Sequence, residues 1–173
     1  MQICDGLGMT DEEPIRAVYY HGEAVNERAE GYGFMKFSNG YEFTGMFIDD
    51  LPGGIGVLTG PELGMYVGNV SGIRPHGFGV VFHKTDGVGQ PLTLGNFVNG
   101  VADGFQISLG DIHQIARKDI VQFVNGVVSG KGMRAYIGQV TGNPMVPEIF
   151  EMIDGEPVYS KEELFKFKIP DDD

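Results

Sequence analysis

"YEFTGMFIDDLPGGIGVLTG", Tyr41 to Gly60, is the stretch that decides the fold. Phe43, Gly45 and Phe47 occupy alternate positions, a turn-forming "DDLPG" follows, and Gly54 and Gly56 come 11 and 13 residues after Phe43. Period two places the first three on one face of a strand, and Gly-x-Gly places two bare backbone positions on one face of the returning strand. A ring on one strand can then lie over a glycine of its neighbour, where any Cβ would collide. Glycine weakens a strand by roughly 0.5–1 kcal/mol relative to alanine, so its repeated use implies compensation by ring burial.

The same register recurs outward in both directions. Tyr20, Gly22 and Ala24 lead to Gly31 and Gly33, and Tyr66, Gly68 and Val70 lead to Gly77 and Gly79, each set displaced by 23 residues from the central one. Thr93, Gly95 and Phe97 lead to Gly104 and Gln106; Asp119, Val121 and Phe123 lead to Gly130 and Gly132, at spacings of 27 and 26. Tyr136, Gly138 and Val140 open a sixth set that does not complete. "FVNGV" stands twice, at Phe97–Val101 and Phe123–Val127, with Asn-Gly entering a turn each time. Such a period marks stacked supersecondary units, here hairpins separated by "SNG" at Ser38–Gly40 and "TDG" at Thr85–Gly87. About eleven strands at ~4.8 Å spacing predict an all-β, elongated, single-layer antiparallel sheet on the order of 50 Å long.

The pattern resembles the MORN repeat, whose consensus runs close to Y-x-G-x-W/F-x-x-G-x-x-x-G-x-G. The best matches are Tyr41–Gly60, "MYVGNVSGIRPHGFGVVF" and "TLGNFVNGVADGF", and the resemblance covers roughly three quarters of the chain. Tryptophan is absent, its position being held by Ala24, Phe47, Val70, Phe97 and Phe123, and Thr93 and Asp119 replace the leading aromatic in the fourth and fifth repeats. The resemblance implies a non-enzymatic scaffold or adaptor, sometimes homodimeric, that binds a partner protein's helix or peptide along the sheet and needs no cofactor. It also suggests a second class, peripheral binding to anionic lipid.

Charge bears on these classes. The formal net charge is -12, which disfavours nucleic acid and an anionic membrane, both of which need clustered Lys and Arg. A third class, an acidic antagonist occupying a basic surface of its target, fits the charge instead. Residues 148–173 hold nine acids against three bases and residues 1–18 four against one, so the two ends are acidic flanks. The expected division is 1–18 as an N-terminal cap segment, 19–142 as the MORN-like repeats, and 143–173 as a C-terminal cap. Capping-box pairs Thr10/Glu13 and Ser160/Glu163 predict helical turns, the second a short helix at about 160–167 carrying Leu164, Phe165 and Phe167. With one cysteine, Cys4, no signal-like leader and no long apolar run, the expectation is a cytoplasmic protein.

Chemistry-bearing groups are sparse. His21, His76, His83 and His113 are scattered without metal-ligand spacing, there is no G-x-S-x-G, and "GYGF" and "GFGVVF" lack the helix that would aim at a phosphate. The expectation is therefore no catalytic residue and no metal. The informative constellation is the aromatic ladder Tyr20, Phe43, Phe47, Tyr66, Phe97, Phe123 and Tyr136. It reads first as internal packing across glycines and second as the surface for a partner protein or peptide, and the two uses can coexist.

Overall fold

Apolar residues and glycines at period two leave no helical stripe to bury, and the chain folds as strands. A computed structural model describes residues 14–84, 92–112, 115–137, 148–153 and 156–159. Among them is one open antiparallel sheet of twelve strands, in which each strand pairs with the next in sequence. These are β1 Ala17–Val25, β2 Arg28–Phe37, β3 Glu42–Ile48, β4 Leu51–Gly60, β5 Gly64–Ser71 and β6 Arg74–Phe82. They continue as β7 Leu92–Val98, β8 Val101–Ile112, β9 Ile115–Val124, β10 Val127–Ile137, β11 Glu148–Ile153 and β12 Glu156–Tyr159.

Turn chemistry fixes the register of each hairpin. At both "FVNGV" copies the two central residues have positive φ, 51° and 89° at Asn99-Gly100 and 51° and 78° at Asn125-Gly126. That is the backbone of a primed two-residue turn, whose twist matches the flanking strands. Asp49-Asp50 makes the equivalent turn without glycine, at 49° and 70°.

With the turns set, glycines fall opposite glycines. Gly22, Gly33, Gly45, Gly56, Gly68, Gly79 and Gly95 are successive cross-strand partners from β1 to β7, forming one row that runs across the sheet. Alongside it runs the row Tyr20, Met35, Phe43, Leu58, Tyr66 and Val81. Each leading ring leans over the glycine row. A Cβ on Gly56 would meet the Phe43 ring, one on Gly79 the Tyr66 ring, and one on Gly33 the Tyr20 ring. The rings also meet edge to face, Tyr20–Phe47 at 5.2 Å, Phe43–Phe47 at 5.3 Å and Tyr66–Phe97 at 5.5 Å between centroids.

Among the described residues a core thereby forms without a second layer. Met35, Phe43, Phe47, Leu58 and Tyr66 are wholly buried, 0% exposed, on the ring face. Burying a side chain of this size contributes about 1.5–3 kcal/mol, and an edge-to-face pair about 0.5–1.5 kcal/mol more.

Several expectations change in detail. The described strands number twelve where eleven were expected, because β11 and β12 add a hairpin within the expected C-terminal cap. Tyr136 does not open a new hairpin: it lies near the end of β10, opposite Arg117, so the fifth return strand is longer than a repeat requires. The Thr10/Glu13 turn and the helix at 160–167 lie outside the described residues.

Because the Tyr66 ring occupies the space over Gly79, Gly79→Ala must displace a ring that has no room to move. We expect it to cost about 1–3 kcal/mol in urea unfolding, as overpacking does. Gly110, with no atom in reach of an added Cβ, is the control, and Gly110→Ala should shift stability by less than about 1 kcal/mol.

Candidate functional site

The face that carries the rings is apolar in its first half and polar in its second. Beyond Val81 the row beside the glycines continues as Thr93, Ser108, Asp119, Arg134 and Glu148. The two repeats without a leading aromatic fill its space by different means. In the first repeat the Tyr20 hydroxyl donates to the carbonyl of Glu23, and in the third the Tyr66 hydroxyl donates to that of Asn69 at 2.8 Å. In the fourth repeat, Gln106 reaches back from the return strand, lies over Gly95 and donates from Nε2 to the carbonyl of Asn96 at 2.5 Å. Asn96 stands three residues after Thr93, as Asn69 does after Tyr66, so an amide replaces the phenol in both volume and hydrogen bond. In the fifth, Phe150 of β11 lies over Gly132.

Asp119, 5% exposed, is held by Arg134, whose Nε donates to Oδ1 at 2.9 Å. The same guanidinium donates to the Tyr159 hydroxyl at 2.7 Å and lies 5.6 Å from the Phe150 ring centroid. This polar clasp ties β9, β10, β11 and β12 together. A buried carboxylate needs such pairing, since an unpaired charge there would be costly.

The sequence-selected residues fall mostly inside this packing. Phe43, Phe47 and Tyr66 have no exposed surface, Phe97 is buried, and Tyr20 and Phe123 are half-buried. The Tyr136 side chain lies outside the described residues. Tyr20, Phe43, Phe47, Tyr66 and Phe97 are brought together as one core, and their area is taken up by one another.

What the structure leaves uncovered is the opposite face. The residue between the two glycines of each Gly-x-Gly must point away from the ring face, and it is large and apolar four times: Tyr32, Ile55, Phe78 and, before Gln106, Phe105. These four are 65%, 64%, 59% and 64% exposed, too much for four neighbouring repeats to owe to chance placement. Beside them the row Val57, Val67, Val80, Leu94, Ile107 and Ile120 crosses the sheet, half-buried except for exposed Val67. The turn ends of the first four hairpins carry six acids, Glu23, Glu27, Glu30, Asp49, Asp50 and Asp103, against Arg28 and Arg74. An apolar face is thus rimmed on one side by negative charge.

The ring-and-glycine pattern by itself does not single out these four residues. The alternation itself was the available signal. If both glycines face the rings, the residue between them cannot.

The described residues hold no group of three or more His, Cys, Asp or Glu placed to bind a metal ion. His83 accepts or donates a hydrogen bond with Thr93 Oγ1 at 2.9 Å, and Thr93 in turn meets Ser108 Oγ at 3.2 Å, a polar chain that continues the row toward Asp119. No helix among the described residues is long and apolar enough to cross a membrane.

A family model described as the MORN repeat matches residues 43–64 and 66–83, the second and third hairpins. Those two hairpins are MORN repeats, set among described residues that form one open all-β sheet of hairpins. MORN repeats serve as interaction modules and are non-catalytic, which is consistent with a scaffold. No curated protein matches the chain.

Burial pushes the Tyr66 phenol up to about 12. The unfolded chain ionises near 10 while the native state keeps its proton, so stability falls as pH rises from about 10 to about 12. We expect a loss approaching 2–3 kcal/mol (~1.4 per pH unit) across that window in urea unfolding. Tyr66→Phe, less stable at neutral pH for want of its hydrogen bond to Asn69, should show a correspondingly flatter alkaline profile.

Proposed function

We propose that this chain is a non-enzymatic scaffold that binds an amphipathic helix of a partner protein on the face opposite the rings. One observation carries the reading, the exposed ladder Tyr32, Ile55, Phe78 and Phe105. An apolar surface this continuous costs solubility unless something covers it, and large exposed patches mark interaction sites.

The spacing suits a helix. Successive rungs are two strands apart, about 9.6 Å, while a helix returns a side chain to the same face every seven residues, about 10.5 Å. A tilt of roughly 24° reconciles the two spacings. Sheet twist of roughly 20–25° per strand turns the face as it advances, so one straight helix engages two or three rungs rather than all four. The acidic rim favours a partner whose helix is basic along the flank facing the turns. That rim also opposes an anionic lipid surface as the ligand.

The test is selection from a displayed library of amphipathic helices, followed by titration against Tyr32→Ser/Ile55→Ser/Phe78→Ser/Phe105→Ser. These side chains are exposed, so the variant should retain the sheet signature in circular dichroism. We expect selected helices to carry an apolar stripe and basic flank, and to bind the variant at least tenfold more weakly. Helices that bind both proteins equally would overturn the reading, as would strong co-sedimentation with anionic vesicles that the four substitutions abolish.

A further inference from the structure

The face opposite the rings is not uniformly apolar along the line of its rungs. On that face Tyr32 pairs with Met46, Ile55 with Asn69, Phe78 with Asn96 and Phe105 with Gln122. The line is therefore apolar from β2 to β4, and from β5 to β9 a carboxamide stands on every odd-numbered strand beside a rung. Asn96 is exposed, and Asn69 and Gln122 are half-buried. Asn69 Nδ2 reaches the carbonyl of Phe78 at 3.5 Å, the outer limit of a hydrogen bond, and among the described residues the side-chain amides of Asn96 and Gln122 form none.

We infer that these amides select the partner helix, by requiring of it a Gln or Asn between successive apolar anchors where it crosses β5 to β9. The inference rests on the helix reading above and adds to it a sequence pattern for the partner. Along the line, each amide stands one strand, about 4.8 Å, from a rung. A helix advances about 4.5 Å in three residues and about 6 Å in four, and both positions share the face of the anchor they follow. A helix that seats successive anchors on Phe78 and Phe105 thus sets the residue between them over Asn96.

The chemistry of that residue follows from what an amide needs once water leaves. Asn69, Asn96 and Gln122 each stand two residues beyond a member of the apolar row, Val67, Leu94 and Ile120. A helix resting on both the rungs and that row covers them. A covered amide without a partner has given up its bonds to water for nothing. It carries a donor and an acceptor together. Lysine offers only donors and a carboxylate only acceptors, whereas Gln and Asn offer both and can pair with it twice. Leucine, the residue that apolar burial alone would favour, leaves the amide unpaired, so the site penalises the wrong helix as well as rewarding the right one.

A single Asn at an apolar seam position of a coiled coil fixes register at some cost in stability, and the amides here act in the same way on a helix against a sheet. A straight helix engages two or three rungs and so covers one or two amides, each of which lowers affinity about tenfold when it is left unmet. Over β2 to β4 the intervening place belongs to Met46, so a helix seated there carries an apolar residue at the same position.

The test is selection of displayed helices with apolar anchors fixed at every seventh position and the residues three and four after each anchor left free. The target is the full chain carrying Tyr32→Ser/Ile55→Ser, two exposed positions whose change confines docking to β5–β9. The expected result is helices that need Phe78 and Phe105 and carry Gln or Asn at a free position, and that bind at least tenfold more weakly when that residue is exchanged for Leu. Adding Asn96→Leu/Gln122→Leu to the target should reverse the preference, so that the Leu helix binds at least tenfold more tightly than the Gln helix, with the sheet signature in circular dichroism unchanged. Any other residue class prevailing at the free positions overturns this inference and leaves the helix reading standing, and so does a leucine-substituted target that still prefers Gln. Failure to select a helix with this target overturns the inference, and failure with the unmodified chain as well overturns the helix reading too.

Discussion

The structure depends on an aromatic ring lying over bare backbone on the adjacent strand. A single-layer sheet has no second layer to cover its apolar side chains, and its strands stand about 4.8 Å apart, too close for rings to be accommodated between side chains of ordinary size. Removing Cβ from every strand along one row opens a channel for the rings. Gly22 through Gly95 form that channel, and Tyr20, Phe43 and Tyr66 fill it. Burial, register and elongation all follow from it, because a strand shifted by one residue would set a side chain against a ring and turn its own apolar residues to the other face.

The later repeats show that the constraint concerns volume and hydrogen bonding more than aromatic identity. Thr93 cannot fill the channel, so Gln106 fills it from the opposite strand and satisfies the carbonyl that a tyrosine hydroxyl satisfies elsewhere. The Asp119–Arg134 pair, backed by Phe150 and Tyr159, then closes the sheet's far end with charge in place of hydrocarbon. Read as sequence, these are degenerate repeats; in the fold they are substitutions matched across strands.

Packing the rings inward has a functional corollary. Each strand has two faces, and a sheet that buries its rings on one presents whatever stands between the glycines on the other. Tyr32, Ile55, Phe78 and Phe105 are apolar where a solvated face would carry polar residues. The proposed partner helix would dock on these residues, which the repeat consensus leaves free to vary.

The order of the first five hairpins and the shared face of Tyr20, Phe43, Phe47, Tyr66 and Phe97 were legible in the sequence, because period two and the Gly-x-Gly spacing are local properties that the backbone reads directly. From Phe43, Gly45, Phe47, Gly54 and Gly56 alone the second hairpin can be drawn. The sequence by itself could not decide which of two apolar faces would close upon itself, since that depends on how far rings on one strand reach over glycines of the next. Nor could it pair Gln106 with the loss at Thr93, or Phe150 with Gly132, because those partners lie on different strands and no repeat spacing joins them. Only the tertiary structure decided these points: burial is a property of what lies across the sheet, and periodicity along the chain carries no record of it.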